Sequence, residues 1–122
     1  MGEPPTRRGA HNRRVGVDGE DLAAAWYVAA GYEVLARNWR CRLGELDLVV
    51  ARGREVVFCE VKSRSSVAFG VPAEAVTHAK RQRLRHLAAQ WLEDAAPFRP
   101  GGIRFDVASV LRGEIEVIEG AF

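Results

Sequence analysis

An α/β fold, with a mixed five-stranded sheet flanked by helices, is predicted by three features of the 122-residue sequence. Apolar residues recur at helical spacing in Gly19–Ala30 and Ala73–Asp94. Strict alternation marks two strands on either side of a tight turn within Gly44–Arg64. Short apolar runs between glycines and prolines supply three more strands, so the order is helix, three strands, helix, two strands. The consecutive hairpins argue against a purely parallel, doubly wound sheet.

Composition sets the bounds. The chain is 48% hydrophobic and 28% charged, which fits a globular domain and excludes a disordered one. One domain is expected over residues 16–122. No apolar run approaches the roughly 18 residues of a membrane span. The N-terminus carries arginines but no apolar h-region, so no signal peptide is read and a cytoplasmic location is expected. Cys41 and Cys59 lack CxxC spacing and a matched histidine cluster, and free thiols are expected. Net charge is only +2, so a nucleic-acid surface would have to come from local clustering.

Residues 1–15 hold Arg7, Arg8, Arg13 and Arg14 among prolines and glycines and read as a disordered basic tail. That tail is either a phosphate-seeking arm or a solvated terminus. The first helix follows, with Asp18 as N-cap and Gly31 as its stop. Leu22, Ala23, Trp26, Tyr27 and Ala30 form its apolar stripe. Glu20 sits at the stripe's edge and, on the wheel alone, reads as a helix-start carboxylate favoured by the macrodipole. Tyr32–Arg37 is a short strand. Asn38–Leu43 is read as a connection carrying Trp39, Arg40 and Arg42, where basic residues around an aromatic suit nucleic acid as well as solvent.

In the central hairpin, Leu46, Leu48 and Val50 alternate with Glu45, Asp47 and Val49, and Glu60 and Lys62 share one face of the next strand. Gly53-Arg54 fits a two-residue type II′ loop, which pairs Arg52 with Glu55. Counting outward, Val49 meets Phe58, Asp47 meets Glu60 and Glu45 meets Lys62. Like charges directly opposite are destabilising. A cation would relieve Asp47 against Glu60, either Lys62 or a divalent metal taking hard oxygen ligands such as Mg²⁺ or Mn²⁺.

Ser63–Pro72 reads as a loop beside this carboxylate face. In the second helix Val76, Leu84, Leu87, Trp91 and Leu92 recur as core positions. Lys80 falls on that same face, while Arg81, Arg83 and Arg85 point elsewhere. A lysine there often snorkels to solvent. His78 and His86 are too far apart for a paired-histidine metal site. Ala95–Gly102 is a loop, Ile103–Leu111 a strand, Arg112-Gly113 a turn and Glu114–Ile118 the last strand. Asp106 shares a strand face with Arg104 and is read as a structural salt bridge.

Asp47 followed by Glu60-Val61-Lys62 resembles the D…ExK core of the restriction-endonuclease-like nucleases. Gly19-Glu20, Arg37-Asn38, GELDLV, FCEVKSR, Phe69-Gly70, Lys80 and RFDV at Arg104–Val107 are similar to the pattern of the YraN-like family, small bacterial proteins of uncharacterised function. The resemblance runs from about Gly16 to Val117. It implies a restriction-endonuclease-like fold related to archaeal Holliday-junction resolvases. It further implies a metal-dependent nuclease acting on DNA, with Mg²⁺ or Mn²⁺ on Asp47 and Glu60 and with Glu20 contributing, as a first-helix glutamate does in related resolvases. Lys62 would then be the catalytic lysine, and Glu45 would steady it or serve a second metal. Lys80, matching the family's lysine, would contact phosphate, and Arg40, Arg42 and Arg64 are the further candidate nucleic-acid contacts. Cleavage of four-way junctions would call for a homodimer. Two other readings stand beside the nuclease: a non-catalytic nucleic-acid-binding module of a repair or recombination complex, and a protein-interaction domain whose charges form a salt-bridge network.

Overall fold

The computed structural model of this chain describes residues 19–64 and 77–122. The expected tail, the Asp18 cap, most of the Ser63–Pro72 loop and the Ala73–Val76 helix start lie outside the described residues. Helix α1 spans 19–29. Strands β1 (Glu33–Cys41), β2 (Gly44–Arg52) and β3 (Glu55–Arg64) follow, then α2 (His78–Asp94), β4 (Gly102–Leu111) and β5 (Glu114–Ile118). The architecture is the expected α/β one, a mixed sheet in the order β1-β2-β3-β4-β5.

Local chemistry sets the element ends. Gly31 stops α1 at φ +94°. Its N–H donates to Val28 C=O at 3.0 Å and the Tyr32 N–H to Tyr27 C=O at 2.9 Å, a Schellman pair. The accompanying apolar contact is Tyr27 against Tyr32, ring centroids 5.2 Å apart. Thr77 caps α2, its hydroxyl accepting the Lys80 N–H at 3.2 Å. In the β2–β3 turn Gly53 takes φ +62° and Arg54 stays at negative φ, as a type II′ loop requires, and Arg52 pairs with Glu55. At the β4–β5 turn both Arg112 and Gly113 have positive φ, the signature of type I′.

β3 and β4 pair in parallel; every other neighbouring pair is antiparallel. A parallel pair needs a long crossover, and the chain between β3 and β4 contains α2. Val56 and Phe58 of β3 pack with Leu84, Leu87 and Trp91 of α2. Val57 and Cys59 pack with Ala23 and Tyr27 of α1. The helices therefore cover opposite faces of the sheet. Cys41 and Cys59 are free thiols, and burial first of all pushes Cys59 up to about 12. No helix among the described residues is long and apolar enough to cross a membrane.

One boundary differs from the sequence reading. Asn38–Cys41, expected as a connection, continues β1. Trp39 and Cys41 pack partly against the α2-side core, and Arg40 faces out. The interruption that hid this strand is real, since Asn38 sits at φ +53° in mid-strand.

Asp106 is fully buried in β4, in the salt bridge expected with Arg104. Arg104 donates from Nε at 2.8 Å and from Nη2 at 2.9 Å, Tyr27 Oη–H donates at 2.5 Å, and the Gly120 N–H at 2.9 Å. These bonds tie α1, β4 and the residues after β5 together. The paired carboxylate, ahead of smaller contributions, holds Arg104 above the ordinary guanidinium range. Burial is the main reason that Tyr27 stays far above the ordinary phenol range.

Candidate metal and phosphate site

The expected hairpin register holds from Arg52↔Glu55 to Leu48↔Cys59, and there the ladder ends. Regular alternation also ends there. Leu48 and Val50 pack on the α1 side, yet Leu46 joins Val49 and Ala51 on the α2 side. The neighbouring strand reverses at the same level, because Ala36 and Trp39 both face the α2-side core with Asn38 between them. At this reversal Asp47 turns its carboxylate to β3, where Oδ2 accepts the Val61 N–H at 2.9 Å. A side chain thus takes up a backbone donor that β2 would otherwise have satisfied.

Glu60 lies in the adjoining position on β3, its side chain 11% exposed. Both Lys62 Nζ, at 3.3 Å, and Lys80 Nζ, at 3.4 Å, approach Glu60 Oε2. Asp47 and Glu60 line one small cavity with Leu46, Phe58, Leu84 and Phe122. Desolvation is the largest influence on Asp47 and the Glu60 charge the next. Together with Glu20 and Glu45, and against the Val61 hydrogen bond, they push its carboxyl up to about 7. Burial pulls the Lys62 ammonium down, and Lys80 beside it acts in the same direction. Lys80 is held up, first by Lys62, which is pulled toward the neutral amine beside it, and then by the Glu60 charge.

Asp47, Glu60, Lys62 and Lys80 therefore meet, although they come from β2, β3 and α2. Glu20 stands at the margin in the first turn of α1. It accepts from Asn38 Nδ2 at 2.9 Å and lies 3.9 Å from Arg37 Nη2. The expected Glu45–Lys62 pair is replaced. Glu45 is bridged to Arg40 at 3.7 Å, and Lys62 turns to Glu60, because the two strands separate before that rung. Arg40 is thereby partly neutralised. Arg42 is exposed in the β1–β2 turn, and the Arg64 side chain lies outside the described residues. Sequence reading missed Asn38 as the partner of Glu20, and set Arg83 apart, although its side chain lies beside Gly44 near that turn. The asparagine in a mid-strand position was the available signal for the first; nothing in the periodicity signals the second.

Among the described residues no three His, Cys, Asp or Glu side chains form a group able to hold a metal ion by themselves. Mg²⁺ does not ask for one, since it is usually held by one or two carboxylates with waters and substrate phosphates. Asp47 and Glu60 fit that demand in chemistry and charge. Asp47 in particular is a crowded, desolvated carboxylate with no cation of its own in an ion pair among the described residues.

Residues 19–110, which hold every member of this cluster, match the uncharacterised protein family UPF0102. The chain belongs to that family. A UPF0102 protein of Rhodococcus opacus (strain B4) is 45% identical over 118 residues, covering 93% of this chain and 99% of the relative. One from Nocardia farcinica (strain IFM 10152) is 54% identical over 98 residues, covering 80% of this chain and 76% of the relative. One from Moorella thermoacetica is 49% identical over 116 residues, covering 90% and 96%. The UPF0102 match begins at Gly19 and ends at Val110 within β4, so it contains the carboxylate–lysine cluster and the Arg104–Asp106 pair.

Proposed function

We propose that this UPF0102 protein is a metal-dependent nuclease hydrolysing DNA phosphodiester bonds, with structured or branched DNA as its substrate class and the cytoplasm as its place of action. The observation that carries the reading is the meeting of Asp47 and Glu60 with Lys62 and Lys80 where β2 and β3 part. Two carboxylates beside two ammonium groups can hold a divalent cation and a phosphate side by side. When bound, Mg²⁺ or Mn²⁺ would polarise the phosphate and lower the pKa of a water. The Val61 N–H fixes Oδ2 of Asp47, leaving Oδ1 without a hydrogen bond among the described residues as the oxygen that would take a metal. Lys62, pulled down by burial, suits a group that orients the attacking water or offsets charge developing on phosphorus. Glu20 would act from the margin, through water.

The test is cleavage of duplex, single-stranded, flap and four-way-junction DNA in Mg²⁺ and Mn²⁺, with Asp47→Asn and Glu60→Gln alongside. Metal-dependent cleavage lost in both variants supports the reading. DNA binding without cleavage in either metal replaces it with the non-catalytic module of a repair or recombination complex. One observation favours that alternative: Glu60 is already matched by two lysines.

A further inference from the structure

Two ammonium groups converge on one oxygen of Glu60, while Asp47 next to it accepts a backbone N–H and forms no ion pair among the described residues. The two lysines are not equivalent. Lys62 is on the same strand as Glu60, two residues on, and its side chain is 23% exposed. Lys80 reaches across from α2, and its side chain is 35% exposed. Its four-carbon stem can swing the ammonium into water without disturbing the core residues Leu84 and Leu87 on the same helix. A divalent ion shared by Asp47 and Glu60 would stand close to whatever cation remains on Glu60. In a partly buried site that repulsion is strong.

We infer that Lys80 is an exchangeable counter-ion of Glu60, holding the site closed to divalent cations until it is displaced toward a substrate phosphate. This rests on the metal reading above and adds a regulatory step to it. Lys80 occupies Glu60 when metal and substrate are absent. A phosphate arriving beside the site offers Lys80 an alternative partner, which frees Glu60. Metal and nucleic acid thus favour each other's binding, each by the same factor.

The test is Mn²⁺ binding to the full chain, followed by the loss of the free-ion paramagnetic resonance signal and by calorimetry, without DNA. The parent, Lys80→Gln, Lys80→Arg and Asp47→Asn are compared, and far-ultraviolet circular dichroism confirms that each is folded. Lys80→Gln should bind Mn²⁺ about tenfold more tightly than the parent, with Lys80→Arg parent-like because it keeps the cation. A 30-nucleotide duplex should tighten Mn²⁺ binding in the parent but much less in Lys80→Gln. Equal or weaker binding in Lys80→Gln, with the parent's binding abolished by Asp47→Asn, overturns the inference and leaves the metal site standing. Absence of binding in both the parent and Lys80→Gln overturns the inference and the metal reading together.

Discussion

Asp47 Oδ2 and the Val61 amide nitrogen are 2.9 Å apart, where the next rung of the β2–β3 ladder would fall. The hydrogen bond favours the charged carboxylate, but desolvation and Glu60 outweigh it and the carboxyl rises to about 7. The folded protein therefore binds a proton more tightly there than the unfolded chain, whose aspartate keeps the ordinary value of 3.8. Between about pH 4 and 7 the folded state holds more protons, so metal-free stability falls as pH rises through that window.

Asp47→Asn removes the charge at nearly constant shape and keeps an acceptor for Val61. Above pH 7 the metal-free variant should be as stable as the parent or more so, by about 1–2 kcal/mol after solvent screening. Its stability should be flatter between pH 4 and 7. Urea melts at several pH values check both statements; a variant less stable than the parent at pH 8 removes the repulsion argument.

Metal should offset that difference. At about ten times its dissociation constant Mg²⁺ should stabilise the parent by about 1.4 kcal/mol, raising the melting temperature by several degrees. Asp47→Asn should show little shift. Thermal melts with and without Mg²⁺ and after chelation decide it, and identical behaviour of the two proteins makes the carboxylates structural.

DNA binding should weaken as salt rises, each phosphate contact adding about −0.9 to the log–log slope on duplex. Arg42→Ala and Arg83→Ala should each make the slope shallower by about 1. Arg40→Ala should do less, because Glu45 already engages Arg40. Deleting Met1–Arg14 should flatten the slope further. An unchanged slope makes that arm a spectator.

Asp106→Asn should destabilise by about 3 kcal/mol or more, since Arg104 would keep its charge and lose a fully buried partner. Tyr27→Phe should cost less, about 1.5–3 kcal/mol, as one hydrogen bond to a charged acceptor is lost. Denaturant unfolding ranks the two.

Both helices, the central hairpin with its register from Arg52↔Glu55 to Leu48↔Cys59, and the β4–β5 hairpin were legible because periodicity and glycine-bearing turns report on neighbours in sequence. The same counting set the Asp47 and Glu60 charges side by side, although the rung it placed between them does not form and Asp47 turns to the Val61 N–H instead. What alternation could not carry was its own reversal. Asn38 and Asp47 break the period on adjoining strands, which moved Leu46 to the α2 side, hid the end of β1 and left Glu45 to Arg40. Lys80 was placed on the inner face of its helix, but its contact with Glu60 depends on how α2 lies across the sheet, which no local pattern encodes.

The ladders on the two sides of β3 have different lengths. Toward β4 it runs from Glu55↔Gly102 to Arg64↔Leu111; toward β2 it stops at Leu48↔Cys59. Amides of β3 that point to β4 should therefore exchange with solvent deuterium only when the sheet opens globally. The Val61 amide, guarded by one carboxylate, should exchange through a local opening. Glu60 and Asp47 thus belong to segments of unequal protection, and this end of β2 can fray while the half of the site carried by β3 stays in place. An ion bridging the two carboxylates would register first as slowed exchange at Val61.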